Sequence, residues 1–153
     1  MDIRALPTDS GLNILKDQVA VLRWTETLSV GVPAFDYEHK RLVAMLNELG
    51  EAFKYHEDKV ILGKTIKNLI NYTITHFSNE ERAMQEYNYP QYKEHKYEHD
   101  AFVDKCTQMK HAYDEGEAVF TQEVLDFLMD WVQNHIMRTD KMYSKYFMER
   151  GMR

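Results

Sequence analysis

Apolar residues recur at spacings of three and four along four successive stretches of this chain, and histidines and carboxylates stand within the same stripes. That period turns one face of each stretch toward a core, as in an amphipathic α-helix. Phe35, His39, Leu42, Met45, Leu46, Leu49 and Phe53 mark a first helix from about Phe35 to Tyr55. Leu62, Ile66, Leu69, Thr73, His76, Glu80, Ala83 and Met84 mark a second from about Lys59 to Glu86, with Asp58 as its N-cap. The third begins near Pro90, a residue suited to a first helical turn. It carries Tyr92, His95, His99, Phe102, Cys106 and Met109 on one face and ends before Gly116. The fourth runs from Thr121, a candidate N-cap, to about Glu149, with Val124, Leu128, Trp131, His135, Thr139 and Met142 inward.

Four such helices with short connections predict an all-α fold, an antiparallel up-down-up-down four-helix bundle with an N-terminal arm. The arm is residues 1–23, broken early by Pro7, Ser10 and Gly11 and followed by an apolar stretch at Ile14, Leu15, Val19, Val21 and Leu22, expected as a short helix or irregular arm. Residues 24–153 form the bundle domain. With 6 glycines and 3 prolines in 153 residues, the chain lacks the turn residues of a many-stranded fold.

Several functions are disfavoured at once. A net charge of -6 with no basic stripe argues against nucleic acid. No apolar run approaches the roughly 18 residues of a membrane-spanning helix, so no membrane insertion is expected. Asp2, Arg4, Asp9, Lys16 and Asp17 interrupt the N-terminus, which does not read as a signal peptide. The single cysteine, Cys106, cannot form an intramolecular disulfide and reads as a small buried hydrophobe. A cytoplasmic protein is the expectation.

The chemistry lies in the stripes. His39 falls on the first; His76 and Glu80, four apart, on the second; His95 and His99, four apart, on the third; His135, with Asp140 five residues on, on the fourth. Residues four apart on a helix lie nearly above one another, so both can address one metal or two adjacent ones. Imidazoles suit iron, copper, nickel or zinc, and bridging carboxylates suit a metal pair. Taken singly, each has an ordinary explanation: a satisfied core histidine at His39, a surface pair at His76 and Glu80, a solvated carboxylate at Asp140. Together they would leave two carboxylates unpaired in the core, at several kcal/mol each. A dinuclear metal centre removes that cost.

The motifs Phe35-Asp36-Tyr37-Glu38-His39, His76-Phe77-Ser78-Asn79-Glu80-Glu81, His95-Lys96-Tyr97-Glu98-His99-Asp100-Ala101-Phe102 and Trp131-Val132-Gln133-Asn134-His135-Ile136, with Asp140 following, resemble the four helix signatures of the hemerythrin family. The resemblance spans roughly residues 24–147 and is closest in form to the single-domain bacterial members. It implies two iron ions bridged by an oxo or hydroxo group. His95, His99 and His135 would hold one iron, His39 and His76 the other with a position open, and Glu80 and Asp140 would bridge. It also implies reversible dioxygen binding rather than enzymatic turnover, as a carrier, storage or delivery protein. An oxygen or nitric-oxide sensor and an iron-handling protein are alternatives that use the same site; no protein partner is implied. His56 and His111 match no ligand position and read as surface residues.

Leu42, Phe77, Trp131 and Ile136 lie a turn or less from these ligand positions and are candidates for an apolar wall around an oxygen pocket, or for ordinary core packing. A ferritin-like oxidase would need Glu-x-x-His on two core stripes, which the sequence lacks. One local problem remains. His135 and Asp140 are separated by roughly 140° on an ideal helix. Either a wider, π-type turn brings them into line, or the side chains bend toward the metals.

Overall fold

A computed structural model describes residues 12–13, 21–55 and 58–152 of the chain. Helix α1 spans Pro33–Tyr55, α2 Lys59–Glu86, α3 Tyr92–Asp114, α4 Gln122–Asn134 and α5 Lys141–Glu149. A π turn over His135–Asp140 joins α4 to α5, so that they form one continuous fourth helix. The all-α four-helix reading holds. Before α1, β1 (Leu12–Asn13) pairs antiparallel with β2 (Val21–Leu22). Ile14, Leu15 and Val19 of the arm, and His56 between α1 and α2, lie outside the described residues.

The helix ends follow local chemistry. Pro33 opens α1 two residues before the sequence estimate, where its missing N–H costs nothing. The Asp36 carboxylate reaches back to accept from Val30 N (2.8 Å) and Ser29 Oγ (2.6 Å). Asp58 and Thr121 cap α2 and α4 as expected, accepting from Val60 N and Ile61 N and from Val124 N respectively. Pro90, by contrast, stays outside α3. Tyr89 N donates to Met84 O (2.8 Å) and Asn88 N to Gln85 O (3.2 Å), closing α2 with a Schellman motif whose left-handed residue is Asn88 at φ 55. The chain needs two further residues to turn into α3. Gly116, at φ 75, closes α3 in the same way, through Glu117 N to Ala112 O (2.9 Å).

The core runs the length of the bundle. Leu46, Leu49, Ile66, Met84, Leu125 and Met129 are each no more than 1% exposed. Each such side chain contributes about 1.5–3 kcal/mol by leaving water. Cys106 is buried, as read from the sequence. The fourth stripe departs from its expected register: Met142 is 59% exposed, whereas Tyr143 and Phe147 are fully buried. The π turn accommodates one extra residue, so every inward position after it moves one place along the chain. Ahead of α1, Leu22 is buried, and Asn47 serves it as a neighbouring strand would. Leu22 N donates to Asn47 Oδ1 and Asn47 Nδ2 donates to Leu22 O, both at 2.9 Å. Among the described residues, no helix is long and apolar enough to cross a membrane.

Candidate metal centre

The seven donors read from the sequence, His39, His76, Glu80, His95, His99, His135 and Asp140, are all buried and meet inside the bundle. Their donor atoms form two overlapping groups. One contains Glu80, His95, His99, His135 and Asp140; the other contains His39, His76, Glu80 and Asp140. Glu80 and Asp140 belong to both. Helical spacing explains the pairs on α2 and α3, and the π turn explains the last. Lys141 N reaches Ile136 O, an i→i−5 bond, and Asp140 Oδ1 thereby comes 3.1 Å from His135 Nε2.

Each of the five donor histidines presents Nε2 to the carboxylates. His95 Nε2 lies 2.9 Å from Asp140 Oδ1, His39 Nε2 lies 3.0 Å from Asp140 Oδ2, and His99 Nε2 lies 3.3 Å from Glu80 Oε1. His76 Nε2 is 3.4 Å from Glu80 Oε2. Yet His95 Nε2, both Asp140 oxygens and Glu80 Oε1 lack a properly directed hydrogen bond. Close approach without alignment is what convergence on a common point produces. Donors about 2.1 Å from one cation and at right angles stand about 3 Å from each other. The buried, unsatisfied oxygens and the nitrogen-rich donor set therefore fit a pair of borderline transition-metal cations.

The electrostatics agree. Burial alone would lower the imidazole of His39, but Asp140 and Glu80 raise it to about 10. Burial likewise opposes the shift at His135, which Asp140, Glu98 and Glu80 raise to about 10. Burial and mutual repulsion would raise Glu80, and burial would raise Asp140, yet the surrounding histidines hold both well below the ordinary carboxylate range. Two ionised carboxylates at the centre of a bundle draw positive charge inward, and a cation satisfies that demand as protons do.

Outside the donors lies a ring of carboxylates that the sequence reading missed. Glu38 on α1 accepts from His76 Nδ1 on α2 (2.6 Å), Glu81 on α2 from His99 Nδ1 on α3 (2.7 Å), and Glu98 on α3 from His135 Nδ1 on the fourth helix (3.1 Å). Each helix thus orients a histidine of the next. Nδ1–H toward a carboxylate leaves the Nε2 lone pair for the interior. Asn79 Nδ2 steadies Glu38 (2.9 Å), and Thr139 Oγ1 steadies Glu98 (2.9 Å). The signal was present: each glutamate is the immediate chain neighbour of a donor, rotated one residue toward the adjoining helix. Tyr143, also missed, donates its hydroxyl to Glu80 Oε2. Burial, with Glu80 and Asp140 nearby, pushes its phenol well above the usual value.

Of the wall candidates, Leu42, Phe77 and Ile136 are buried and Trp131 is half-buried. Phe77 stacks on His99 with ring centres 3.7 Å apart and planes 1° from parallel. Trp131 stacks on His135 (4.5 Å, 10°) and on Phe102 (3.8 Å, 9°). Phe35, a residue of the first stripe that was not among the wall candidates, meets His76 edge-on at 6.3 Å. His111 is exposed and takes no part.

A four-helix bundle with paired nitrogen and carboxylate donors at its centre defines a non-haem metal protein of the helical-bundle class. The family model for the hemerythrin HHE cation binding domain matches residues 30–147, and the chain belongs to that family. It is similar to bacteriohemerythrin of Methylococcus capsulatus (34% identical over 127 residues, 82% of this chain and 96% of that protein). It also resembles the bacteriohemerythrin of Stenotrophomonas maltophilia (31% over 126 residues, 82% and 81%). A wild-type hemerythrin crystal structure superposes with a TM-score of 0.77 at 33% identity, over 80% of this chain and 94% of that one. The protein is a non-haem iron protein.

Proposed function

We propose that this chain binds dioxygen reversibly at a di-iron centre and acts as an oxygen carrier, store or delivery protein rather than as an enzyme. His95, His99 and His135 would hold one iron, His39 and His76 the other, with Glu80 and Asp140 bridging. The observation that carries the reading is the donor set itself, five imidazoles and two shared carboxylates. When bound, the two irons supply the electrons that reversible oxygen binding borrows and returns.

The chain's own residues set the conditions. Glu38, Glu81 and Glu98 fix three imidazole tautomers, so those rings need no reorganisation. The Tyr143 hydroxyl holds Glu80 in one orientation. Phe77 and Trp131 cover His99 and His135 with ring faces, and Leu42 and Ile136 add aliphatic bulk one turn or less from donors. Such a wall excludes the water that would release reduced oxygen species and strand the centre in its oxidised form. The deciding experiment records the optical spectrum of the anaerobically reduced, iron-loaded protein, then admits air, then removes oxygen. A spectrum that returns through repeated cycles supports the reading. Irreversible change on first exposure, or substrate-dependent turnover, sinks it.

A further inference from the structure

On the side of the donors that faces the α1–α2 connection, the bundle holds a small, partly open apolar cavity, with room for about one water-sized molecule. Its lining continues the donor stripes: Thr73 lies one turn before His76, Phe102 one turn after His99, and Val132 one turn before His135. A separate groove opens at the surface between α3 and α4, with Val124 and Phe127 in its wall. Cys106, Met109 and Leu128 line both the groove and the cavity, so these three side chains separate outside from inside. α3 and α4 also approach each other less closely than α2 approaches α1 or α3. Side chains, not backbone, close the seam.

We propose that this seam is the entry route for dioxygen, with the cavity as a holding site for one diatomic molecule and Met109 as the gate. The proposal rests on the reading that the centre binds dioxygen. The chemistry of the lining selects the occupant. The hydroxyl of Thr73 is taken up by Leu69 O at 2.8 Å. Burial keeps the thiol of Cys106 protonated, its pKa pushed up to about 12. Water entering the cavity would find almost nothing to bond, and buried water needs two to four polar partners. An apolar diatomic molecule needs none. At the mouth, Met109 is half-buried and its unbranched thioether can change rotamer without displacing a helix. Cys106 and Leu128 are buried behind it.

The test combines xenon with two substitutions in the iron-loaded protein. Crystals of that protein under xenon pressure should place xenon among Thr73, Phe102 and Cys106. Met109→Trp fills the mouth, and Cys106→Ala widens the passage; iron per chain is measured for both. A gate lies on the path in both directions, so Met109→Trp should slow oxygen association and dissociation together, about tenfold each, with affinity held. Cys106→Ala should speed both. If the wild-type protein cycles with oxygen but neither variant changes either rate, the route is wrong and the oxygen-binding reading stands. A cavity without xenon also overturns the route. Wild-type protein that fails to cycle overturns the oxygen-binding reading itself, and the route falls with it whatever xenon does.

Discussion

His135 Nε2 and Asp140 Oδ1 stand 3.1 Å apart, although five residues separate them on a helix whose period is close to four. The π turn between them is what closes that gap, and it also decides that Tyr143 and Phe147, not Met142, face the core beyond. Removing one exposed residue from the turn, Arg138, should convert the segment to ordinary α-helix. Both donors would still face inward, but their offset along the axis would shorten by about 1.5 Å. The expected result is a fold of unchanged helical content with lower iron occupancy. Far-UV circular dichroism and iron per chain decide it; full occupancy would mean that the turn does not serve the donors.

The metal-free protein should lose stability as pH rises, whereas the iron-loaded protein should hold its stability over the same range. In the metal-free chain, His39 and His135 are raised from 6.5 to about 10. A raised histidine contributes stability that is fully present below its unfolded value and is lost as pH rises through the folded one. Metal-free protein should therefore melt at progressively lower temperature from about pH 6.5 to about pH 10. Iron must displace those protons, so its affinity, and the rise in melting temperature it confers, should grow over the same range. Thermal melts of chelator-treated and anaerobically iron-loaded protein at several pH values test both halves. A metal-free melting temperature that stays flat through that window would count against the proton-filled centre.

The outer carboxylates should govern how tightly iron is held. Glu81→Gln keeps the shape of the side chain and an oxygen for His99 Nδ1, but removes the charge that makes the imidazole a better donor. Iron affinity should fall about 10- to 100-fold without loss of helicity. Glu98→Gln should cost less, because Glu98 is 47% exposed against 16% for Glu81 and solvent screens it. Competition with a chelator of known affinity gives both numbers, and equal losses at the two positions would contradict the exposure argument.

Much of this was legible in the sequence because a helix converts spacing into direction. His76 with Glu80, and His95 with His99, declare a shared face by being four apart, and the buried apolar neighbours declare which face is inside. The limits arose where the period changed or where a contact crossed between helices. Thr139 and Met142 continue an ideal stripe, and only the π turn reveals that the stripe shifts by one. Glu38, Glu81 and Glu98 sit one residue off the core face, so periodicity alone files them with the solvated positions. Their role depends on which helix lies alongside. Pro90 fits a first helical turn by composition, but the Schellman closure at Asn88 claims the residues before it.

The last expectation separates holding iron from protecting it. Leu42 is buried one turn beyond His39, the helix position proposed to serve the iron with only two histidines. Its side chain carries no donor atom, so changing it should leave iron content near the wild-type value. Leu42→Asn puts a polar amide where the wall is apolar and gives water a partner there. The reduced, oxygen-exposed protein should then convert faster to the oxidised form that no longer binds oxygen. The same change removes a well-packed leucine, at a cost of about 2–5 kcal/mol by analogy with large-to-small substitutions, so stability is measured alongside. His39→Ala is the contrasting variant: it removes a donor and should lower iron per chain directly. Autoxidation rate and iron content, recorded for both, place each residue. If Leu42→Asn folds, holds its iron and autoxidises at the wild-type rate, Leu42 does not border the oxygen pocket, and the open coordination position lies elsewhere around the pair.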